Sequence, residues 1–203
     1  MTERELALIR ALCEANAPSG FEDETVRVAR DAMQNVCDLK EDSLRNLYLY
    51  RRKNTGDKPV LMLDAHSDEV GFMVHSIRPT GTLRVVQLGG WNRATLPGAS
   101  VSVRNREGKW IPGVIAAKPP HFMSAAEKEH MGTPEIRDLA IDIGAKSAKE
   151  AETVFGIRIG EPIVPNTPFG YDAEHGLYHG KAFDCRIGVA ALLEVMQRIA
   201  DEE

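Results

Sequence analysis

The chain has 203 residues, room for one large domain or two small ones whose core needs no disulfide or metal staple. Its 25 Lys and Arg stand against 30 Asp and Glu, a net charge of −5, and no stretch gathers the basic face that a phosphate backbone requires, which excludes nucleic acid as a partner. Three cysteines (Cys13, Cys37 and Cys185) without CxxC spacing exclude a disulfide framework, the charged start Met1-Thr2-Glu3-Arg4-Glu5 is no signal peptide, and no apolar run nears the ~20 residues of a membrane span. The expected setting is a reducing cytoplasm.

Leu6, Ile9, Leu12 and Cys13 recur at helical spacing, and Ala17-Pro18-Ser19-Gly20 stops that first helix. Ser19 and Glu22 have the spacing of a capping box, after which Val26, Ala29, Met33 and Val36 give a second helix its apolar stripe. Asn46 to Tyr50 alternates as a half-buried strand, and the basic run Arg51-Arg52-Lys53 reads as its solvated end before the turn at Gly56. Val60-Leu61-Met62-Leu63 then reads as a fully buried strand that breaks off into Asp64-Ala65-His66-Ser67-Asp68-Glu69. In open α/β sheets ligands sit beyond the carboxyl ends of the strands, where this polar cluster falls.

His-x-Asp suits a metal site. One imidazole nitrogen meets the cation, and a carboxylate on the other ring N–H fixes the tautomer and raises ligand basicity. His66 and Asp68 are the candidates; alone, the pair is equally well a structural histidine at a strand end.

Past Gly71 the texture changes to short strands separated by turns: Phe72 to Ile77, Leu83 to Gln87, Ala99 to Arg104 and Lys109 to Ile115, as expected of a small barrel or sandwich inserted into the α/β layer. Lys118-Pro119-Pro120-His121 through Pro134 reads as a long loop. Leu139 to Gly144 returns as a strand, Ser147 with Glu150 caps a short helix, and Gly156 closes it. Ile157 to Tyr171 leads back to the first layer. The last segment, Lys181-Ala182-Phe183-Asp184-Cys185-Arg186-Ile187-Gly188, opens a helix striped by Val189, Leu192, Leu193, Met196 and Ile199. Its stop at Asp201-Glu202-Glu203, with no C-cap glycine and no following strand, reads as a cut partway through a domain.

Four stretches together, Asp64 to Phe72, Gly113-Val114-Ile115 leading into Lys118-Pro119-Pro120-His121, Asp142-Ile143-Gly144-Ala145 with Ser147 and Glu150, and Lys181 to Gly188, resemble the tetrahedral-shell aminopeptidases. These are cobalt- or zinc-dependent peptidases, with relatives labelled glutamyl aminopeptidase or endoglucanase. The resemblance implies an α/β di-zinc aminopeptidase-like sheet domain, incomplete here, formed by residues 1–70 and 166–203. A small β-barrel, residues 71–165, would interrupt it and serve dimerisation and assembly into a dodecamer. It implies two divalent metal ions, with His66 binding one, Asp184 bridging both and Asp68 orienting the histidine, and a metal-activated hydroxide that releases N-terminal residues from short peptides. The family's Glu-Glu pair, further acidic ligand and final histidine would follow a strand that this sequence does not reach. Glu202-Glu203 closes a helix directly and reads as a solvated helix end. Cys185 stands where the family usually has a second acid; it reads as a buried neutral cysteine, with a soft ligand or an oxidation site as alternatives. His75, His121, His130, His175 and His179 are left as loop or interface residues, and Arg186 is expected to tie down Asp184 or its neighbours.

Two other readings stay open. These residues could form a catalytically silent piece whose intact module is the β domain acting in association, or the metals could serve a deacylase or carboxypeptidase reaction. Glycosidase chemistry needs two carboxylates facing across a sugar ring, and the acids here are better explained by a metal.

Overall fold

The computed structural model describes residues 2–54, 56–129 and 134–200, which divide into two compact units, residues 1–69 with 168–203 and residues 70–167. Helix α1 (Glu3–Glu14) opens on a capping box in which the Thr2 hydroxyl accepts from Glu5 N and the Glu5 carboxylate accepts from Thr2 N. Helix α2 (Asp23–Met33) buries Thr25, Val26, Ala29 and Met33. Its N-cap is Glu22, with no side-chain bond, and Ser19 is engaged elsewhere, so the expected Ser19–Glu22 box does not form. Strands β1 (Asp38–Glu41) and β2 (Leu47–Tyr50) pair antiparallel.

Arg51 and Arg52, expected to be a solvated strand end, also make specific contacts: Arg51 is half-buried, while Arg52 stays exposed as expected. Arg51 Nε donates to the Ile199 carbonyl at 2.8 Å, and Arg52 reaches Asp38 and the carbonyls of Gln34, Asn35 and Cys37. Carbonyls left over at a helix end need donors, and a guanidinium supplies several at once.

The strand expected at Val60-Leu61-Met62-Leu63 does not form either. Among the described residues these four pair with no strand, and Val60, Leu61 and Met62 are 78–82% exposed. An apolar run is buried as a strand only when neighbours flank it, and the sheet β1–β2 takes up no third strand among the described residues. Leu61→Asn should therefore change the stability of this chain by no more than about 0.5 kcal/mol in urea titration, and Leu61→Lys should lower its tendency to self-associate, whereas a loss of 2 kcal/mol or more, roughly that of a core leucine, would contradict the exposed placement.

In the second unit, β3 (Gly71–Ile77), β4 (Leu83–Leu88), β5 (Ser100–Arg104), β6 (Trp110–Ala116), β7 (Ala140–Asp142) and β8 (Pro162–Pro165) close a six-stranded barrel in the order β3-β4-β7-β6-β5-β8. Alternation along each strand sends Phe72, Val74, Leu83, Val85, Val101, Val103, Ile115, Ile141 and Ile163 inward, all buried. Each contributes roughly 1.5–3 kcal/mol of apolar burial. Trp91 stacks on Phe72 at 4.9 Å and donates Nε1–H to the Gly71 carbonyl. Gly81 (φ +91°) has no room for a side chain, since a Cβ would lie 2.3 Å from the Ala145 carbonyl oxygen.

The segment read as a long loop contains helix α3 (Ala125–Glu129) after a short turn of helix at Pro120–Phe122, and its residues 130–133, His130 among them, lie outside the described residues. Helix α4 (Ala148–Thr153) is capped by Ser147, which accepts from Glu150 N, while Glu150 accepts from Lys146 N, one residue earlier than a capping box requires.

The chain returns to the first unit with the ladder β9 (Gly170–Asp172) and β10 (Leu177–His179), and ends in α5 (Phe183–Ile199). Val189, Ala190 and Leu193 of α5 meet Leu12, Ala29, Met33 and Cys37 in the core of this unit. Among the described residues no helix is long and apolar enough to cross a membrane.

Candidate metal centre

His66 and Asp184 come from distant parts of the chain and face one another, with Nε2 3.4 Å from Oδ1. Asp184 precedes the regular part of α5: its φ and ψ (−88°, 108°) are extended, Cys185 is also non-helical, and the peptide between them is cis. An extended residue at a helix start throws its side chain off the helix register, and the Asp184 side chain is 98% exposed. On the other ring nitrogen, His66 Nδ1 meets Asp68 Oδ1 at 2.9 Å.

That pairing dictates the electrostatics. With Asp68 accepting the Nδ1 proton, a neutral His66 turns the lone pair of Nε2 toward a carboxylate oxygen, and two acceptors face each other. The arrangement asks for positive charge between them, either a proton or a metal cation. The 3.4 Å separation exceeds the usual ~2.7–3.2 Å of an N–H···O bond. It matches two donors each about 2.0–2.2 Å from one tetrahedral ion, which lie about 3.3–3.6 Å apart. The residues present fit a divalent cation.

Asp68 is itself held. Its second oxygen accepts from the Ser19 hydroxyl, which is where the serine read as a helix cap has gone. The chain from 67 to 69 is tied down residue by residue. Ser67 accepts from Thr25 through its hydroxyl and from Arg186 Nε through its carbonyl at 2.9 Å. Glu69 N donates to the Ala17 carbonyl, Glu69 Oε1 accepts from Ala17 N, and Pro18 bridges Glu69 in parallel register.

Arg186 is fully buried and donates to the carbonyls of Leu12 and Ala15, at 2.9 and 2.6 Å, as well as to Ala17, Ser67 and Glu69. It therefore satisfies the last carbonyls of α1 and fixes the segment that carries His66 and Asp68. Of the expectation that it ties down Asp184 or its neighbours, the first half is corrected, since none of these side-chain bonds goes to Asp184, while Ser67, held through its carbonyl, adjoins the His66 that faces Asp184. Glu69 Oε1 also accepts from Lys181 Nζ at 2.8 Å, and Lys181 donates to Asn16 Oδ1. Burial pulls Lys181 and Arg186 below their ordinary pKa values, against the pull of Glu69 in the other direction. Burial also pushes the nearby Cys13 thiol up to about 11.

Among the described residues, the His, Cys, Asp and Glu side chains that could jointly hold an ion are His66, Asp184 and Cys185, whose donor atoms lie within 4.8 Å of one another. Cys185 is half-buried rather than buried. Glu202 and Glu203 lie outside the described residues. His75 is exposed on β3, His121 packs at a tilt against Phe122, His175 pairs with Asp172 and His179 covers Gly170, so none of them joins the group. A depression of about 330 Å³ on the barrel unit, lined by Ile77, Arg106, Glu152, Ile157, Arg158 and Ile159, contains no histidine or cysteine.

Sequence reasoning did not find Ser19, Glu69 or Lys181. Glu69 sits within the motif that drew attention to His66, but nothing in the sequence marks it as buried.

The chain is similar to the glutamyl aminopeptidase of Lactococcus lactis subsp. cremoris (strain MG1363), 36% identical over 196 residues that cover 96% of this chain and 55% of that protein. A TET aminopeptidase from the marine sediment archaeon Thaumarchaeota archaeon SCGC AB-539-E09 superposes with a TM-score of 0.91 at 39% identity, over 98% of this chain and 55% of that one. The TET1 peptidase of Pyrococcus horikoshii, described as assembling into a tetrahedron or a large octahedral shell, matches with a TM-score of 0.79 at 26% identity, over 98% and 57% of the two chains. The chain thus spans about half the length of the relatives it matches. Residues 46–203 match the profile described as M42 glutamyl aminopeptidase, a stretch that includes His66, Asp68 and Asp184, and on that match the chain belongs to the M42 peptidase family.

Proposed function

We propose that the protein is a metal-dependent aminopeptidase that removes N-terminal residues from short peptides, with His66 and Asp184 as metal ligands and Asp68 as the residue that orients His66. The observation that carries this reading is the approach of His66 Nε2 to Asp184 Oδ1, with Asp68 on Nδ1, in a member of the M42 family. When bound, two divalent ions, zinc or cobalt, would activate a water and polarise the scissile carbonyl. The chain's own residues prepare that chemistry. Asp68 keeps the proton on Nδ1, so that Nε2 offers its lone pair, and Ser19 stops the Asp68 carboxylate from turning away. Among the described residues, His66, Asp184 and Cys185 are the donors that gather at this place.

Residues 1–70 and 166–203 would form the catalytic part and residues 71–165 the part used for self-association, in the cytoplasm. Support for assembly comes from the Pyrococcus horikoshii neighbour and its described shells.

The test is hydrolysis of a panel of aminoacyl p-nitroanilides by the purified protein after chelation and after return of zinc or cobalt. Release restored by the metal is expected; no metal-dependent release from any of them would contradict the reading. A second reading, favoured by the closed barrel with its own core, takes this stretch as an association module. Light scattering that finds an oligomer, together with no turnover, would favour it.

A further inference from the structure

We infer that Cys185 is a third ligand to the ion held by His66 and Asp184, so that the site presents one nitrogen, one oxygen and one sulfur donor. The inference rests on the metal reading of His66 and Asp184. Its own support is the placement of the thiol. Cys185 Sγ lies within 4.8 Å of the donor atoms of both partners. It occupies a recess that exists only because residue 188 has no side chain: a Cβ on Gly188 would lie 2.6 Å from Sγ and 3.2 Å from Ala65 Cβ. The sulfur is thus seated beside the residue that precedes His66. The other two thiols are sealed in the core, Cys13 at 1% and Cys37 at 2% exposure, while Cys185 is half-buried.

Binding requires the thiolate. The S–H proton passes to solvent as a sulfur lone pair forms the bond to the cation. A sulfur donor biases the site toward zinc and cobalt and away from magnesium, calcium and manganese.

The test is titration of the chelated protein with Co²⁺, followed by absorbance, with circular dichroism to check that each variant is folded. Bound cobalt should show a near-ultraviolet thiolate-to-cobalt charge-transfer band. Cys185→Ser should abolish the band and weaken binding by more than about tenfold, the low end of what loss of even an outer partner of a ligand costs. Cys185→Asp should bind cobalt without the band. Gly188→Ala, which leaves all three donors in the sequence but fills the recess, should also reduce the band. In the unsubstituted protein, Zn²⁺ should protect Cys185 from iodoacetamide, read by mass spectrometry.

Cobalt binding that depends on His66 but shows no charge-transfer band would overturn the cysteine ligand and leave the His66–Asp184 reading standing. A band that persists in Cys185→Ser would assign the signal to Cys13 or Cys37 and overturn the inference as well. No cobalt binding by the folded protein would remove both.

Discussion

Glu69→Gln is expected to destabilise the helical unit by about 3–5 kcal/mol, the range for breaking a buried ion pair from one side. The Glu69, Lys181 and Arg186 side chains are 2%, 6% and 0% exposed, so one carboxylate balances two cations out of reach of water. Glutamine keeps the volume and an acceptor for Ala17 N but leaves both cations unpaired. With typical stabilities of about 5–15 kcal/mol and a urea dependence of roughly 1–3 kcal/mol per molar, the unfolding midpoint should fall by about 1–5 M. Lys181→Met should cost less than Glu69→Gln, because Glu69 keeps Arg186 as its partner and one desolvated cation is removed. The two cations are not equivalent, and Arg186 also holds four backbone carbonyls.

The folded pKa of Lys181 lies below its unfolded value, with burial as the main cause. Between the two, the unfolded chain binds more protons than the native one, so this residue makes stability climb as pH rises toward about 10.4. The difference in stability between the unsubstituted protein and Lys181→Met should grow across that alkaline window. A Glu69→Gln loss below about 1 kcal/mol, or no growth in that difference, would contradict the buried triad.

His66→Ala and Asp184→Asn are each expected to weaken divalent-metal binding by more than about 100-fold, because each removes a ligand outright, whereas loss of an outer partner costs about 10–100-fold. Asp68→Asn should fall in that lower range. It keeps the size of the side chain but no longer enforces the proton on Nδ1, so Nε2 is not reliably free for the ion. Ser19→Ala should cost less again, as it releases only the second Asp68 oxygen. The order Asp184→Asn and His66→Ala, then Asp68→Asn, then Ser19→Ala distinguishes a metal centre from a structural ion pair. In the ion-pair case metal affinity would not follow this series. Isothermal titration with zinc on folded variants measures it.

The barrel was legible in the sequence because five of its six strands carry their own signal, whereas β8 (Pro162–Pro165), a short run bounded by prolines, was not read as a strand. Phe72, Val74, Val101 and Val103 alternate with outward residues, and turns with glycine at positive φ, such as Gly81 and Gly108, punctuate them. The stripes of α1, α2 and α5 were legible for the same local reason. Val60 to Leu63 was misread because burial of an apolar run is decided by neighbours, which a local pattern does not contain. Ser19 was assigned to a helix cap on spacing alone, and competition from Asp68, 49 positions away, cannot be seen at that range.

The candidate centre divides in the same way. His66 and Asp68 share a recognisable spacing, while the approach of Asp184 came from resemblance, since contacts over such separations have no local signature. Glu69, Lys181 and Arg186 were least legible. Charged side chains are read as surface by default, and only folding reveals that these three neutralise one another in the core.

The central claim is that His66 and Asp184 are donors to one divalent cation, with Asp68 behind the histidine. A crystal structure of the protein grown with Zn²⁺, with anomalous difference density recorded at the zinc edge, tests it most directly. The expected result is a peak about 2.0–2.2 Å from both His66 Nε2 and an Asp184 carboxylate oxygen, with Asp68 still on Nδ1. Zinc bound elsewhere, or His66 and Asp184 in direct contact with no peak between them at saturating zinc, would contradict it.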